Sequence, residues 1–305
     1  MQNITNSPIQ NINFKNQSFL VKRDDLLHKD FTGNKARKFY YFFKNDFPNI
    51  TTIISHGSNQ SNAMYSLSVL AKLKGWDYIY YTNHLPSYIK DNPQGNYKYA
   101  LENGMKMILD DSFDSSKLEL NNCPTEIPLG ATLFIAEGGA IQEASFGLEI
   151  LANEIKDYQK ENNIKNLKVF LPSGTGTTAL FVQKYLTKQS NIEVLTCPCV
   201  GDSAYLKKQF LELEEDEKYH PTIIETRKKY HFGKLYKDNY ILWKELKKQT
   251  DIEFDLLYDP IGMETFLNYK KDPKVTYLYI HQGGIKGNET MKDRYLYKWK
   301  DLDIN

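Results

Sequence analysis

One rhythm runs along most of this chain: a short apolar run, a turn of small polar residues, then a longer amphipathic stretch. Strand-length apolar runs fall at 51–55, 78–82, 106–109, 132–136, 168–171, 193–196, 254–258 and 275–280. Helix-length stretches fall at 61–73, 94–103, 146–159, 177–186, 204–214 and 239–248. Short apolar strands of this kind need cover on both faces, and the stretches between them are long enough to cross back over a sheet. The alternation predicts an α/β protein of βαβ units, with parallel-rich sheets flanked by helices.

In such folds ligands bind past the carboxyl ends of the strands, on the loops that lead into helices. The loops at 55–62, 137–140, 172–178 and 281–288 each follow an apolar run, and each is rich in Gly, Ser, Thr, Asn or Gln. One such loop is ordinary turn chemistry. Four leaving the same edge predict one shared site for a small polar ligand.

Composition removes other classes. Lys and Arg number 39 against 38 Asp and Glu, a net charge of +1. A nucleic-acid binder normally carries a marked basic excess, so none is expected as a partner. No apolar run is long enough to span a membrane. The Asn- and Gln-rich start, 1–16, has neither the basic nor the apolar region of a signal peptide. Three cysteines, Cys123, Cys197 and Cys199, make no disulfide framework, which points to a reducing, cytoplasmic setting. Cys197 and Cys199 have no matching second pair and read as a strand end rather than a metal or redox site.

Among the four loops, Ser173-Gly174-Thr175-Gly176-Thr177-Thr178 is the best anion cup. Its glycines admit close backbone approach, its hydroxyls donate, and it opens a helix whose first N–H groups are free. A Walker P-loop needs a lysine after the second glycine; Thr177 follows Gly176, so that reading fails. Gly174, Gly176 and Ala179 match G-x-G-x-x-A, which leaves a dinucleotide-dependent oxidoreductase as an alternative. The acid expected at the end of the next strand is missing: that strand ends in Thr196 and Cys197, with Glu193 at its start.

A second feature is basic. Gly33-Asn34 turns into a helix opened by Lys35, Ala36, Arg37 and Lys38. Cations at a helix N-terminus oppose the macrodipole, so the placement calls for a nearby anion. A lysine whose pKa is lowered by cationic neighbours or burial is a good nucleophile toward an aldehyde. A phosphate cup together with such a lysine points to pyridoxal 5'-phosphate (PLP), an aldehyde with a phosphate handle.

The motifs then become specific. Lys22-Arg23-Asp24-Asp25, followed by Gly33-Asn34-Lys35-Ala36-Arg37-Lys38, resembles the PLP-lysine segment of the 1-aminocyclopropane-1-carboxylate (ACC) deaminase and D-cysteine desulfhydrase family. Gly57-Ser58-Asn59-Gln60-Ser61-Asn62 resembles its G-x-x-Q-S-N loop, Glu137-Gly138-Gly139 its E-G-G turn, and Asp259-Pro260 and His281-Gln282-Gly283-Gly284 its two late motifs. The resemblance covers nearly the whole chain, in order.

It implies a two-domain fold of the tryptophan-synthase-β-like type. Residues 45–129 would form a smaller α/β domain inserted into a larger PLP-binding domain of 1–44 and 130–305. It implies that Lys35 holds PLP as a Schiff base and moves protons at the substrate α-carbon. Ser173, Gly174, Thr175, Gly176, Thr177 and Thr178 would cradle the phosphate, and Asn62 would meet the ring oxygen. Gln60, Ser61 and Asn62 would bind the substrate, with Ser61 as nucleophile or proton relay and as helix N-cap. The implied reaction converts a small amino acid, such as D-cysteine or ACC, to a 2-oxo acid and ammonia, in a homodimer.

The sequence departs from the family at two tyrosines. The late motif runs Asp-Pro-Val-Tyr followed by a polar residue; set on Asp259-Pro260, it puts Gly262 at the tyrosine and leaves Glu264 to meet the pyridine nitrogen one residue out of register. The second tyrosine, before a glycine, falls on Phe232-Gly233. Loss of both phenols would remove two acids. Elimination from D-cysteine is then preferred over ring opening, with Tyr65, Tyr236 or His56 as substitutes. A PLP-binding protein with lost or altered turnover is the other outcome.

Overall fold

The computed structural model describes residues 4–110 and 131–302. Cys123 and the expected domain boundary at 129–130 lie outside them. The chain begins with a hairpin of β1 (Ile9–Phe14) and β2 (Gln17–Arg23). Its two turn residues, Lys15 and Asn16, have φ of 48° and 60°. Positive φ at both turn positions matches the twist of paired strands. Ile12 and Phe14 face inward while Asn11 and Asn13 face water.

The hairpin continues into a six-stranded sheet with β7 (Leu167–Ser173), β8 (Glu193–Pro198), β9 (Thr222–Ile223) and β10 (Thr276–His281), in the order β1-β2-β10-β7-β8-β9. Every pairing but the hairpin is parallel. A second, all-parallel sheet has β3 (Thr52–His56), β4 (Asp77–Thr82), β5 (Met105–Leu109) and β6 (Thr132–Ile135), in the order β5-β4-β3-β6. The helices are α1 (Gly33–Lys44), α2 (Asn62–Lys74), α3 (Ser87–Asp91), α4 (Gly95–Glu102), α5 (Ala144–Glu161), α6 (Thr177–Gln189), α7 (Ser203–Leu213), α8 (Lys237–Thr250), α9 (Asp259–Asn268) and α10 (Asn288–Lys298). The α/β class expected from the alternation is the class observed.

Two expectations are corrected. The run at 254–258 is not a strand. Asp255, Asp259 and Asn288 side chains accept from the backbone N–H groups of 255–258, and these take the place of ladder partners. Residues 132–135, assigned to the larger domain by a boundary at 129–130, pair as β6 with β3 and complete the smaller sheet.

A buried ion network fixes α1 to the larger sheet. Arg37 donates from Nη1 and Nη2 to Glu154 on α5, at 2.7 Å each, and from Nε and Nη2 to Asp24 at 3.0 and 2.8 Å. Lys22 on β2 meets the same Glu154 at 2.7 Å and donates to the Ser7 carbonyl. Burial alone would raise the Glu154 carboxyl, but the hydrogen bonds and charge of Arg37 and Lys22 outweigh it and hold the group below its ordinary value.

Candidate active site

All four polar loops of the sequence converge on one cleft of about 510 Å³. Gln282 ties two of them to the start of α1. Gln282, after β10, donates to the Pro172 carbonyl at 2.7 Å and accepts from Asn34 at 3.1 Å; its own carbonyl accepts from the Asn34 N–H at 3.0 Å. Gly33 permits this approach: with φ of 66°, a Cβ there would lie 1.9 Å from the Gln282 carbonyl oxygen. His281 supports the turn from below. Its Nε2 donates to the Glu253 carbonyl and its Nδ1 accepts from the Gly283 N–H, so the ring is neutral; burial lowers its pKa accordingly.

Lys35 and Lys38, one turn apart on α1, both reach the carbonyl oxygen of Gly138, at 2.9 Å each. Two buried amines on one acceptor cannot both keep full charge at low cost. Burial brings Lys35 down to about 8, against an upward pull from its contact with Lys38 and from Glu137. Burial and the Lys35 charge hold Lys38 well below the lysine range. Gly138 in turn lies against Thr175, so the amines stand beside the anion cup.

In the cup, Gly176 has φ of 74° and caps α6, whose first turn leaves backbone N–H groups without intrahelical acceptors. A Cβ at Gly176 would fall 2.4 Å from the Phe210 ring. The Thr178 hydroxyl is buried and has no partner among the described residues, whereas Thr175 and Thr177 hydroxyls meet at 3.1 Å. Ser173 is different. Its hydroxyl meets Thr196 at 2.6 Å, and Thr196 donates onward to the Leu171 carbonyl. The Ser173 proton is thereby used between β7 and β8, which leaves its backbone for the cup.

On the facing wall, Ser61 caps α2, with its hydroxyl accepting from Ala63 and Met64 N–H. Gln60 is committed on both sides, donating to the Gln94 carbonyl and accepting from Thr290 at 3.2 Å. The Asn62 amide is divided between Asn96, which donates to its oxygen at 2.7 Å, and the Asp255 carboxyl.

The late motif needs a new register. Gly262 has no room for a tyrosine: a Cβ there would meet Pro172 and the Tyr279 hydroxyl at 2.8 Å. Glu264 does not line the cleft; its carboxylate is taken by Tyr230 and Arg227. The cleft instead receives Asp255, Tyr258 and Asp259, which restore the Asp-x-x-Tyr-polar spacing four residues earlier. The Tyr258 hydroxyl lies against Gly174, and burial, with Asp255 beside it, pushes the phenol well up, so it keeps its proton. Asp255 is raised by burial to about 6. Burial and the neighbouring Asp255 also raise Asp259 well above the ordinary carboxylate value, and it accepts from the Tyr279 hydroxyl at 2.6 Å. Phe232 does reach the cleft, its ring 5.7 Å from that of Tyr258. Tyr65, Tyr236 and His56 are not among its lining residues.

Lys38, Asp255, Tyr258 and Asp259 were not singled out from sequence as site residues. The signal for the last three was present: the same motif spacing, found by anchoring on Asp255 rather than on an Asp-Pro pair. Cys197 and Cys199 are buried at the end of β8, and no cluster among the described residues could hold a metal ion. No helix among them is long and apolar enough to cross a membrane.

Fold and cleft define an α/β protein with a ligand site lined by loops that follow strands of two parallel-rich sheets. Comparison with solved structures gives that architecture its type. A structure described as an ACC deaminase homologue superposes with a TM-score of 0.79 at 20% identity, covering 97% of this chain and 95% of the other. A hydrogen sulfide-producing enzyme from Fusobacterium nucleatum gives 0.67 at 14% identity, covering 92% and 94%. The processed threonine deaminase isoform 2 from Solanum lycopersicum gives 0.61 at 12%, covering 93% and 78%. The chain has the tryptophan-synthase-β-like fold expected from its motifs. No known family profile and no curated protein sequence matches it.

Proposed function

We propose that this protein is a PLP-dependent lyase or deaminase of the ACC deaminase and D-cysteine desulfhydrase type, converting a small amino acid to a 2-oxo acid and ammonia. The observation that carries the reading is the pairing of Lys35 and Lys38 on the Gly138 carbonyl beside the cup at 174–178, with the Thr178 hydroxyl left without a partner among the described residues. A phosphate there would accept from Thr178 and from the N–H groups that open α6, and it would compensate the crowded amines. Asp255 and Asp259 are the buried carboxyls of the cleft, and one of them would meet a ring nitrogen. When bound, PLP supplies an aldehyde for amine capture and an electron sink for the α-carbon.

The chain's own residues do the rest. Lys35 would hold the cofactor and carry the α-proton. Ser61 and the N–H groups opening α2 hold the substrate carboxylate. Tyr258, protonated and facing the cleft, would be the acid for a leaving group or for a carbon that takes up a proton. Because that phenol is present, the reading of lost turnover keeps only Phe232 in its favour. The acid in the loop after β8, Asp202, caps α7 by accepting from the Tyr205 N–H, so it is committed to the helix and does not favour a dinucleotide.

The test is the visible absorption spectrum of the purified protein, before and after added PLP, then with D-cysteine and with ACC. A cofactor band that changes on adding one of them, with release of a 2-oxo acid, is the expected result. A colourless protein that PLP cannot load would sink the reading. The depressed Lys35 pKa gives a second check. The free amine captures the aldehyde, and its fraction grows as pH rises, so the rate at which apo-protein takes up PLP should climb with a midpoint near 8. A midpoint at the ordinary lysine value of 10.5 would mean that Lys35 is not desolvated.

A further inference from the structure

The helix α10 turns one face to the cleft: Gly287 just before it, then Thr290, Met291 and Arg294, at helical spacing. Arg294 is the unusual member. Its guanidinium donates from Nη2 to the Gly233 carbonyl at 2.8 Å and from Nη1 to the Met291 sulfur at 3.3 Å. Among the described residues it has no acidic partner, although it is half-buried and lines the cleft. A guanidinium has five N–H donors, and a planar fork of this kind matches a carboxylate or phosphate. Two of the five are used here, and both acceptors are neutral.

Its position says which part of a substrate it would meet. One turn earlier, Thr290 donates to Gln60, in the loop proposed to hold the substrate α-carboxylate. Four residues of helix separate Thr290 from Arg294, a rise of about 6 Å. Gly233, which Arg294 grips, carries Phe232, and Phe232 packs on Tyr258. Arg294 therefore stands with the aromatic wall, one turn beyond the carboxylate loop and apart from the amines on Gly138.

We infer that Arg294 selects amino acids whose β-substituent carries a second anionic group. The inference rests on the proposed PLP reaction at this cleft. For a phosphate ester the net reaction is O-phosphoserine plus water giving pyruvate, ammonia and inorganic phosphate. The α-proton is removed, the β-carbon–oxygen bond breaks with its electron pair leaving on phosphate, and water replaces the nitrogen.

The experiment uses PLP-loaded protein and two substrates that differ mainly in charge, O-phosphoserine and O-acetylserine, each as both enantiomers. Half-saturation is read from the cofactor band, and pyruvate release gives kcat and KM. Wild type should favour the phosphate ester at least tenfold in kcat/KM. Arg294→Gln should cut that ratio tenfold or more, mainly through KM, and Arg294→Lys should restore part of it. Arg294→Gln lowering both substrates equally would mean that the residue only staples the 232–233 loop. Loss of the cofactor band in Arg294→Gln would make it a cofactor ligand. Either result, or no preference for the phosphate ester in wild type, overturns the inference and leaves the PLP reading standing. A wild type that takes up no PLP overturns both.

Discussion

Lys35→Ala should abolish the covalent cofactor band and lower turnover by about 10²–10⁴-fold from the lost proton transfer alone. The loss of covalent capture adds to that. Lys38 makes the measurement informative, because its amine lies at the same 2.9 Å from the Gly138 carbonyl. With Lys35 removed, burial still depresses Lys38 but the neighbouring charge that adds to it is gone, so Lys38 regains its proton more readily and becomes a poorer nucleophile. Borohydride reduction of the loaded wild type, followed by peptide mapping, should find the cofactor on Lys35. A label on Lys38, or a full band in Lys35→Ala, would exchange the two roles.

Arg37→Met should be strongly destabilising. It leaves Asp24 and Glu154 buried beside a neutral side chain, with Lys22 as the remaining cation on Glu154 among the described residues and with the Ser7 hydroxyl and the Asn6 N–H as neutral donors to Asp24 and Glu154. Removing one member of a buried ion pair costs about 3–5 kcal/mol. That is a large share of a typical stability of about 5–15 kcal/mol. The loss should be read by urea denaturation at neutral pH. It should shrink in acid. Glu154 has a depressed pKa, so its contribution is complete above its unfolded value of 4.5 and fades as pH falls through the folded one. A deficit that stays constant down to that range would mean that Arg37 acts through packing rather than charge.

The path from sequence to site was legible where chemistry is local. Apolar runs followed by Gly- and Ser-rich turns marked β3, β4, β7, β8 and β10, and the loops after β3, β6, β7 and β10 meet in one cleft. Ser61 could be read as a cap because capping depends on the next three residues. What sequence alone hid depends on distant partners. The stretch at 254–258 is apolar enough for a strand, and only Asn288, some thirty residues on, together with Asp255 and Asp259, turns it into a side-chain-capped loop. The register of the late motif was lost for a related reason. Asp259-Pro260 looks like the motif's opening, but Pro260 serves the first turn of α9, while Asp255 and Tyr258 line the cleft. Lys38 could be seen as a cation near an anion; that it shares an acceptor with Lys35 required the fold.

The order of strands also dictates when this protein can become functional during its own synthesis. Strand β10, residues 276–281, sits between β2 at 17–23 and β7 at 167–173. Until it leaves the ribosome, an N-terminal hairpin and the middle of the sheet each present an open edge, with more than a hundred residues of chain between them. Edges of that kind are prone to mispairing. The smaller sheet is complete by residue 135 and waits for nothing downstream. The same late strand delivers Gln282, which ties Asn34 to Pro172. A nascent chain stopped short of it would carry both lysines and the whole anion cup, yet have no finished pocket in which to use them.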